Sequence, residues 1–369
     1  MQGDILWLAI GSAGLIVGAE LLVRGASRLA VSAGISPLVV GLTVVAFGTS
    51  APELAVTVGA SYAGEPELAL GNIVGSNIFN VLLILGTTAA VTPLVVSRQL
   101  VRFDVPLMIG VSLLVAAMGV DGQIDRLDGA VLFAGVLGYT TFSILQSRRE
   151  SAAVREEYEE ALHAKEAKRS RALANVLLML GGLALLVIGA RWLVAGATAI
   201  AQALGVSELV IGLTIVAAGT SLPEVATSVL AALRGERDIA VGNVVGSNLF
   251  NLMAVLGLGS MAAPDGVPVT PGALTFDIPV MIAASIGMLP ICFTGYLIAR
   301  WEGFLLVGYY VAYTTFIALQ AVEHRGLDEF SSAMLYFVIP LTAITITVVT
   351  SRSLRKRWRA RRRVGRPRA

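Results

Sequence analysis

Apolar residues in this chain fall in long unbroken runs, and polar residues collect in the stretches between them. A helix that crosses a bilayer takes roughly 20 mostly apolar residues. That length predicts eleven spans, near residues 5–30, 37–62, 69–92, 103–120, 127–146, 172–195, 208–232, 240–262, 274–294, 299–320 and 332–351, called spans 1 to 11 below. A membrane barrel would instead read as alternating segments of roughly ten residues. The expected fold class is an all-α polytopic membrane protein. No small-residue cleavage site follows the first run, so it reads as a retained span, with Met1 as the start of the mature chain.

The runs repeat at a fixed distance. GLTVVAFGTSAPE from Gly41 returns as GLTIVAAGTSLPE from Gly212, and GNIVGSNIFN from Gly71 returns as GNVVGSNLFN from Gly242, both at an offset of 171 residues. Aligning 37–86 with 208–257 gives 28 identities in 50 positions, which only a duplication explains. The likeness continues weakly in Phe103-Asp104-x-Pro106 against Phe276-Asp277-x-Pro279 and in Tyr139-Thr140-Thr141-Phe142 against Tyr313-Thr314-Thr315-Phe316. Each copy holds five spans. Because five is odd, the second copy enters the membrane in the opposite sense, giving two inverted-topology repeats of five transmembrane helices plus an additional C-terminal one. The expected organisation is a first repeat over 1–146, a charged cytoplasmic linker over 147–171, a second repeat over 172–320, the additional helix within 321–351 and a basic tail over 352–369.

Basic residues orient this frame, since Lys and Arg favour the cytoplasmic side. Of 27 Lys and Arg, 24 fall in the connections after odd-numbered spans, in the linker or in the tail. Arg126, Arg191 and Arg325 are the exceptions. The expected N-terminus is outside and the C-terminus cytoplasmic, in a plasma membrane or a bacterial or archaeal inner membrane.

Composition narrows the chemistry. AVILMFWYC residues make up 56% of the chain, charged residues 14%, and mean hydropathy is +0.80; soluble domains hold about 45–50% apolar residues. A soluble enzyme is excluded. Net charge is only +2, with ten Lys and Arg concentrated between Arg352 and Arg368, so the tail reads as a topology determinant facing anionic lipid and no nucleic-acid partner is expected. A lone Cys292 and two histidines, His163 and His324, supply neither an internal disulfide nor a His-rich metal site. The linker acids, Glu156, Glu157, Glu159 and Glu160 among them, lack EF-hand spacing and read as a solvated connector.

Glu53 and Glu224 stand inside apolar spans 2 and 7 and are equivalent under the repeat. An ionisable group there costs roughly 2.5 kcal/mol or more and points to function. Thr49 and Ser50 precede Glu53 by four and three residues, as Thr220 and Ser221 precede Glu224, so hydroxyls share the carboxylate's helix face. Pro52 and Pro223 have no N–H to offer the carbonyls of Gly48 and Gly219, which breaks each helix beside its glutamate. Spans 3 and 8 add Ser76, Asn77 and Asn80, and Ser247, Asn248 and Asn251, with Gly71, Gly75, Gly242 and Gly246 allowing close helix approach. Carboxylates, hydroxyls, amides and freed carbonyls without imidazole or thiolate suit a hard cation, calcium or sodium first. Inverted repeats with broken helices place such a site at the bilayer midplane and expose it alternately to the two sides.

At these residues the sequence resembles the sodium/calcium exchanger family of the cation/calcium antiporter superfamily, whose repeats carry G-T-S-x-P-E and G-S-N-x-x-N or D. The resemblance implies ten helices in inverted repeats and Ca²⁺ exchanged for several Na⁺. It implies Glu53 and Glu224 as central Ca²⁺ ligands with the Thr49 and Thr220 carbonyls. Ser50, Ser76, Ser221, Ser247 and the Ala46 and Ala217 carbonyls would be flanking Na⁺ ligands, and Asn80 and Asn251 would line the pore. The chain departs from several prokaryotic members and the potassium-dependent branch at Asn251, where those carry Asp, leaving the site one charge short.

The reading is an antiporter exchanging Ca²⁺ for Na⁺, with these ions and the bilayer as its partners, no resident cofactor and no obligate protein partner. A Ca²⁺/H⁺ antiporter would use the same two carboxylates for protons. A channel fits broken inverted repeats less well, and an intramembrane enzyme acting on lipid lacks a Ser–His or Cys–His pair. Asp104 and Asp277 read as helix-start residues, Glu20 and Arg191 as snorkelling interface residues, Tyr139 and Tyr313 as packing, and Trp7, Trp192, Trp301 and Trp358 as anchors or tail.

Overall fold

The computed structural model describes residues 2–63, 66–156, 165–204, 215, 217–293, 295–322, 324, 326–345 and 347–348. The basic tail 352–369, the linker centre 157–164 with His163, the first half of span 7, Arg325 and the end of span 11 lie outside the described residues.

Among the described residues nine helices are long and apolar enough to cross a membrane: Gly3–Ala33, Leu68–Val91, Leu100–Asp121, Arg126–Arg149, Leu173–Ala203, Arg237–Ala262, Ala273–Phe293, Arg300–Ala321 and Leu327–Thr345. They correspond to spans 1, 3, 4, 5, 6, 8, 9, 10 and 11. Span 2 is a bent pair, Pro37–Thr49 and Ala51–Tyr62, with 44° between its halves. The described part of span 7 is a turn, Ala217–Gly219, and the helix Leu222–Leu233. Span 11 begins at Leu327, before the expected start. Asp328 and Glu329 occupy its first turn, where acids favour the helix dipole but interrupt an apolar run.

Span 2 shows how local chemistry starts a helix. The Ser36 hydroxyl accepts the Val39 N–H at 3.3 Å, and Pro37 fills the first helical position, where no N–H is needed. Span 8 is wholly buried at the centre of the bundle, whereas spans 10 and 11 turn most of their surface outward. Spans 1 and 6, which correspond under the repeat, pack face to face through glycines. A Cβ on Gly18 would lie 2.8 Å from the Gly182 carbonyl, and one on Gly189 2.9 Å from that of Gly11. Small residues at this seam let two backbones touch.

Four two-residue strands are consistent with the expected opposite sense of the copies. β1 (Leu94–Val95, after span 3) pairs with β4 (Leu297–Ile298, after span 9), and β2 (Gln123–Ile124, after span 4) pairs with β3 (Val267–Pro268, after span 8). Span 4 separates β1 from β2, so the two ladders lie at opposite ends of the bundle. β3, the counterpart of β1 in the second copy, sits at the β2 end. Corresponding connections therefore face opposite sides, as inversion requires.

Candidate functional site

The broken helices meet at the centre. Span 2 interrupts at Ser50 (φ −81°, ψ 6°) and span 7 at Ser221 (φ −91°, ψ 5°), nearly the same conformation at equivalent positions. Pro52 and Pro223 stand two residues beyond each break, and each glutamate one residue beyond its proline. Restarting the helix after the break puts Glu53 and Glu224 in a first turn, where unpaired N–H groups favour a carboxylate. Both glutamates are 1% exposed.

Each carboxylate is bonded by the other copy's serine. Ser221 Oγ donates to Glu53 Oε1 at 2.9 Å, and Ser50 Oγ donates to Glu224 Oε1 at 3.3 Å. Thr220 lies beside Glu53, and Thr49 and Ser247 beside Glu224. Ser76 Oγ stands 3.5 Å from Ser221 Oγ. Glu53 Oε2 and Glu224 Oε2 are buried without a hydrogen-bond partner among the described residues. A buried oxygen left this way calls for a bound partner.

The amides of spans 3 and 8 close the site. Asn80 Nδ2 donates to Asn248 Oδ1 at 3.0 Å, joining the two spans, while Asn80 Oδ1 is unpartnered among the described residues. Asn251 is fully buried, and neither its Oδ1 nor its Nδ2 has a partner among those residues. Asn77 and Asn248 turn their amino groups to methionine sulfurs, Asn77 Nδ2 to Met281 Sδ at 3.6 Å and Asn248 Nδ2 to Met108 Sδ at 3.5 Å. Span 3 takes a π-turn over Asn80–Ile84 and span 8 over Asn251–Val255, each starting on its asparagine. Such turns re-aim a side chain within a helix and cluster at functional sites.

Of the residues singled out in the sequence, Glu53, Glu224, Thr49, Ser50, Ser221, Ser76, Ser247, Asn80, Asn251 and Ala46 are all buried, and Thr220 is half-buried. Ala217 opens the turn before Gly219, and its side chain lies outside the described residues. Gly242 and Gly246 do permit close approach: an added Cβ would lie 2.8 Å from Leu38 O and 2.6 Å from Leu42 O in span 2. At Gly71 and Gly75 an added Cβ would meet nothing within 4 Å among the described residues, and positions 209 and 213, which correspond to Leu38 and Leu42, lie outside them.

Two further pairs belong to the site. Asn72 Nδ2 donates to Glu53 O at 3.3 Å and Thr57 Oγ1 at 3.1 Å; Asn243 Nδ2 donates to Glu224 O at 3.5 Å and Ser228 Oγ at 2.9 Å. Asn243 also accepts from Thr49 Oγ1 at 3.1 Å, reaching into the other copy. The signal was the Asn in G-N-x-V-G-S-N, with a hydroxyl four residues beyond each glutamate. Met108 and Met281 likewise extend the repeated F-D-x-P to F-D-x-P-x-M.

Outside this centre, Tyr139 and Tyr313 stack on Phe103 and Phe276, and they also donate to Asp104 at 3.1 Å and Asp277 at 2.9 Å. The pairs tie span 4 to span 5 and span 9 to span 10. Glu20 is ion-paired with Arg24 and with Arg234, the latter at 2.7 Å, so it joins span 1 to the end of span 7 rather than only reaching toward the interface.

Comparison with known proteins follows the same lines. A family model described as sodium/calcium exchanger protein matches residues 4–145 and 174–319. The inner membrane protein YrbG of Escherichia coli is 40% identical over 294 residues, 77% of this chain and 89% of that protein. The sodium/calcium exchanger MaX1 of Methanosarcina acetivorans is 33% identical over 341 residues, 84% of this chain and 97% of that protein. A solved structure of the sodium-calcium exchanger NCX_Mj, soaked with 10 mM Na⁺ and zero Ca²⁺, is similar with a TM-score of 0.72 at 30% identity, covering 84% of this chain and 96% of that one.

Proposed function

Because the chain belongs to the sodium/calcium exchanger family, whose members are multi-pass membrane transporters and not enzymes, we propose that it exchanges Ca²⁺ for Na⁺ at a site formed by Glu53 and Glu224. The observation that carries the reading is the reciprocal pairing of the two breaks, with Ser221 on Glu53 and Ser50 on Glu224. One Ca²⁺ neutralises two carboxylates, and Na⁺ ions do so in turn. The ligands of this reading are all oxygens, which suits these hard cations.

This arrangement supplies an exchange rule. Two bare carboxylates are costly to carry through a dry intermediate, whereas a neutralised pair is not. The protein therefore changes sides slowly when empty and readily when loaded, and one cation leaves only as the other arrives. Ser50, Ser221, Ser76, Ser247 and the carbonyls of Ala46, Ala217, Thr49 and Thr220 are the further oxygen ligands of this reading, with Asn80 and Asn251 lining the path. The basic connections orient the chain with its N-terminus outside and its C-terminus in the cytoplasm. Arg300, after span 9, bonds the Val91 carbonyl at the end of span 3, and Arg126, after span 4, bonds the Ala263 carbonyl at the end of span 8, in keeping with that alternation of sides.

The test of the driving ion is radiolabelled Ca²⁺ uptake into proteoliposomes loaded with Na⁺, with K⁺, or with an outward proton gradient. Uptake that needs internal Na⁺ is expected. Uptake driven by protons alone overturns the Na⁺ coupling and moves the carboxylates to Ca²⁺/H⁺ exchange.

A further inference from the structure

A side-chain amide has two ends of nearly the same size, one an acceptor and the other a double donor, so packing alone does not decide which way it faces. Its polar neighbours decide. In spans 3 and 8 those neighbours include two buried methionine sulfurs, each from the opposite copy of the repeat. Met281 of span 9 accepts from Asn77 Nδ2 of span 3 at 3.6 Å, and Met108 of span 4 accepts from Asn248 Nδ2 of span 8 at 3.5 Å. A thioether accepts and never donates. A flipped amide would set its oxygen against the sulfur, lone pairs against lone pairs, and leave its amino group facing the other way.

The consequence lies at the other end of each amide. Asn77 Oδ1 is buried without a hydrogen-bond partner among the described residues. Asn248 Oδ1 accepts from Asn80 Nδ2 at 3.0 Å, which orients that second amide in turn and leaves Asn80 Oδ1 without a partner among those residues. Each sulfur thus leads to one buried, unpartnered amide oxygen. Both oxygens belong to the helix turn beside the carboxylate pair: Ser76, next to Asn77 and one turn before Asn80, lies 3.5 Å from the Ser221 hydroxyl that bonds Glu53. We propose that Met108 and Met281 are positioning residues, which keep the amide oxygens of Asn77 and Asn80, rather than their amino groups, turned to the transported cation. Asparagine carbonyls are ligands for hard cations, whereas an amino group in the same place repels them. This deepens the proposed exchange at Glu53 and Glu224 and rests on it. The two methionines are not equally placed. Asn248 Nδ2 has a second acceptor in Asn77 O at 3.4 Å, while Met281 is the one acceptor of Asn77 Nδ2 seen among the described residues.

Leucine removes the acceptor with little change in volume, a swap that cores tolerate well. In Na⁺-driven Ca²⁺ uptake by the full chain, with Glu53→Gln measured alongside, Met281→Leu should raise the Ca²⁺ concentration for half-maximal uptake by roughly fivefold, the scale of one hydrogen bond. The maximal rate and the thermal midpoint should stay close to wild type. Met108→Leu should show a smaller rise. The Asn77→Asp background separates orientation from packing: aspartate carries oxygen at both ends, so Met281→Leu should there leave the half-maximal concentration unchanged or lower it. A second measurement covers a variant that fails to fold. In wild-type protein with ¹³C-labelled asparagine, the side-chain carbonyl band in the infrared should shift when Ca²⁺ replaces choline. An unmoved half-maximal concentration in Met281→Leu, a rise that persists in Asn77→Asp, or a carbonyl band indifferent to Ca²⁺ would each overturn the proposal while leaving exchange at the glutamates standing. Uptake that survives in Glu53→Gln overturns the exchange site itself, and this inference with it.

Discussion

Ser221 of span 7 donates a 2.9 Å hydrogen bond to Glu53 of span 2, and the equivalent Ser50 returns a 3.3 Å bond to Glu224. Each half of the duplicated chain thus completes the other's carboxylate. Hydrogen bonds to charged groups contribute about 1.5–3 kcal/mol, and every 1.4 kcal/mol is about tenfold in affinity. Ser221→Ala and Ser50→Ala should each weaken apparent Ca²⁺ affinity by roughly tenfold or more in vesicle uptake. A loss confined to one of the two would contradict the reciprocal arrangement.

Asn243 spans more of the site than Asn72. Both bond the backbone of their glutamate and a hydroxyl one turn on, but Asn243 alone of the pair is seen to accept a bond from the opposite copy, Thr49. Asn243→Ala should therefore lower the thermal midpoint in detergent more than Asn72→Ala, by about one further buried hydrogen bond, roughly 1 kcal/mol. Equal midpoints would remove the bridging role.

The buried Asn251 amide has no partner among the described residues. Replacing it with Asp adds a negative charge to the site without changing its shape. Asn251→Asp should shift cation preference or apparent affinity in competition assays with Na⁺, K⁺ and Ca²⁺. Identical behaviour toward all three would place this position off the ion path.

Span 8 touches span 2 through Gly246, where a Cβ would lie 2.6 Å from Leu42 O, whereas Gly308 in span 10 has open space around it. Gly246→Ala should lower thermal stability and disturb exchange, since it wedges the two spans that carry the site. Gly308→Ala should be neutral or stabilise by up to about 1 kcal/mol from helix propensity alone. The two melting curves discriminate packing from composition.

If the Na⁺ charge moved in each cycle exceeds that of one Ca²⁺, net charge crosses the membrane, worth roughly 2.3 kcal/mol per elementary charge per 100 mV. Uptake into Na⁺-loaded vesicles should then respond to an imposed K⁺ diffusion potential. Indifference to voltage would require an electroneutral exchange.

Most of the architecture was legible because it rests on signals that survive without tertiary context. Apolar runs of membrane length placed the spans, the 171-residue offset exposed the duplication, and an odd number of spans per copy required an inversion with which the β1–β4 and β2–β3 ladders are consistent. Pro52 and Pro223 marked the breaks, since proline's missing N–H acts on its own helix. What stayed hidden depends on partners distant in the chain. The Asn72 and Asn243 clamps, the Met108 and Met281 sulfurs beside Asn248 and Asn77, and the Glu20–Arg234 ion pair each need a neighbour that only folding supplies. The π-turns at Asn80 and Asn251 have no composition of their own, and the Gly18–Gly182 seam hides among ordinary small residues of apolar helices.

The central claim is that Glu53 and Glu224 hold one Ca²⁺ between them. The measurement that tests it most directly is Na⁺-driven radiolabelled Ca²⁺ uptake by Glu53→Gln and Glu224→Gln, each checked for a monodisperse, folded protein. Glutamine keeps the shape and removes the charge. Loss of uptake in both folded variants is the predicted result; normal uptake in both would contradict the site.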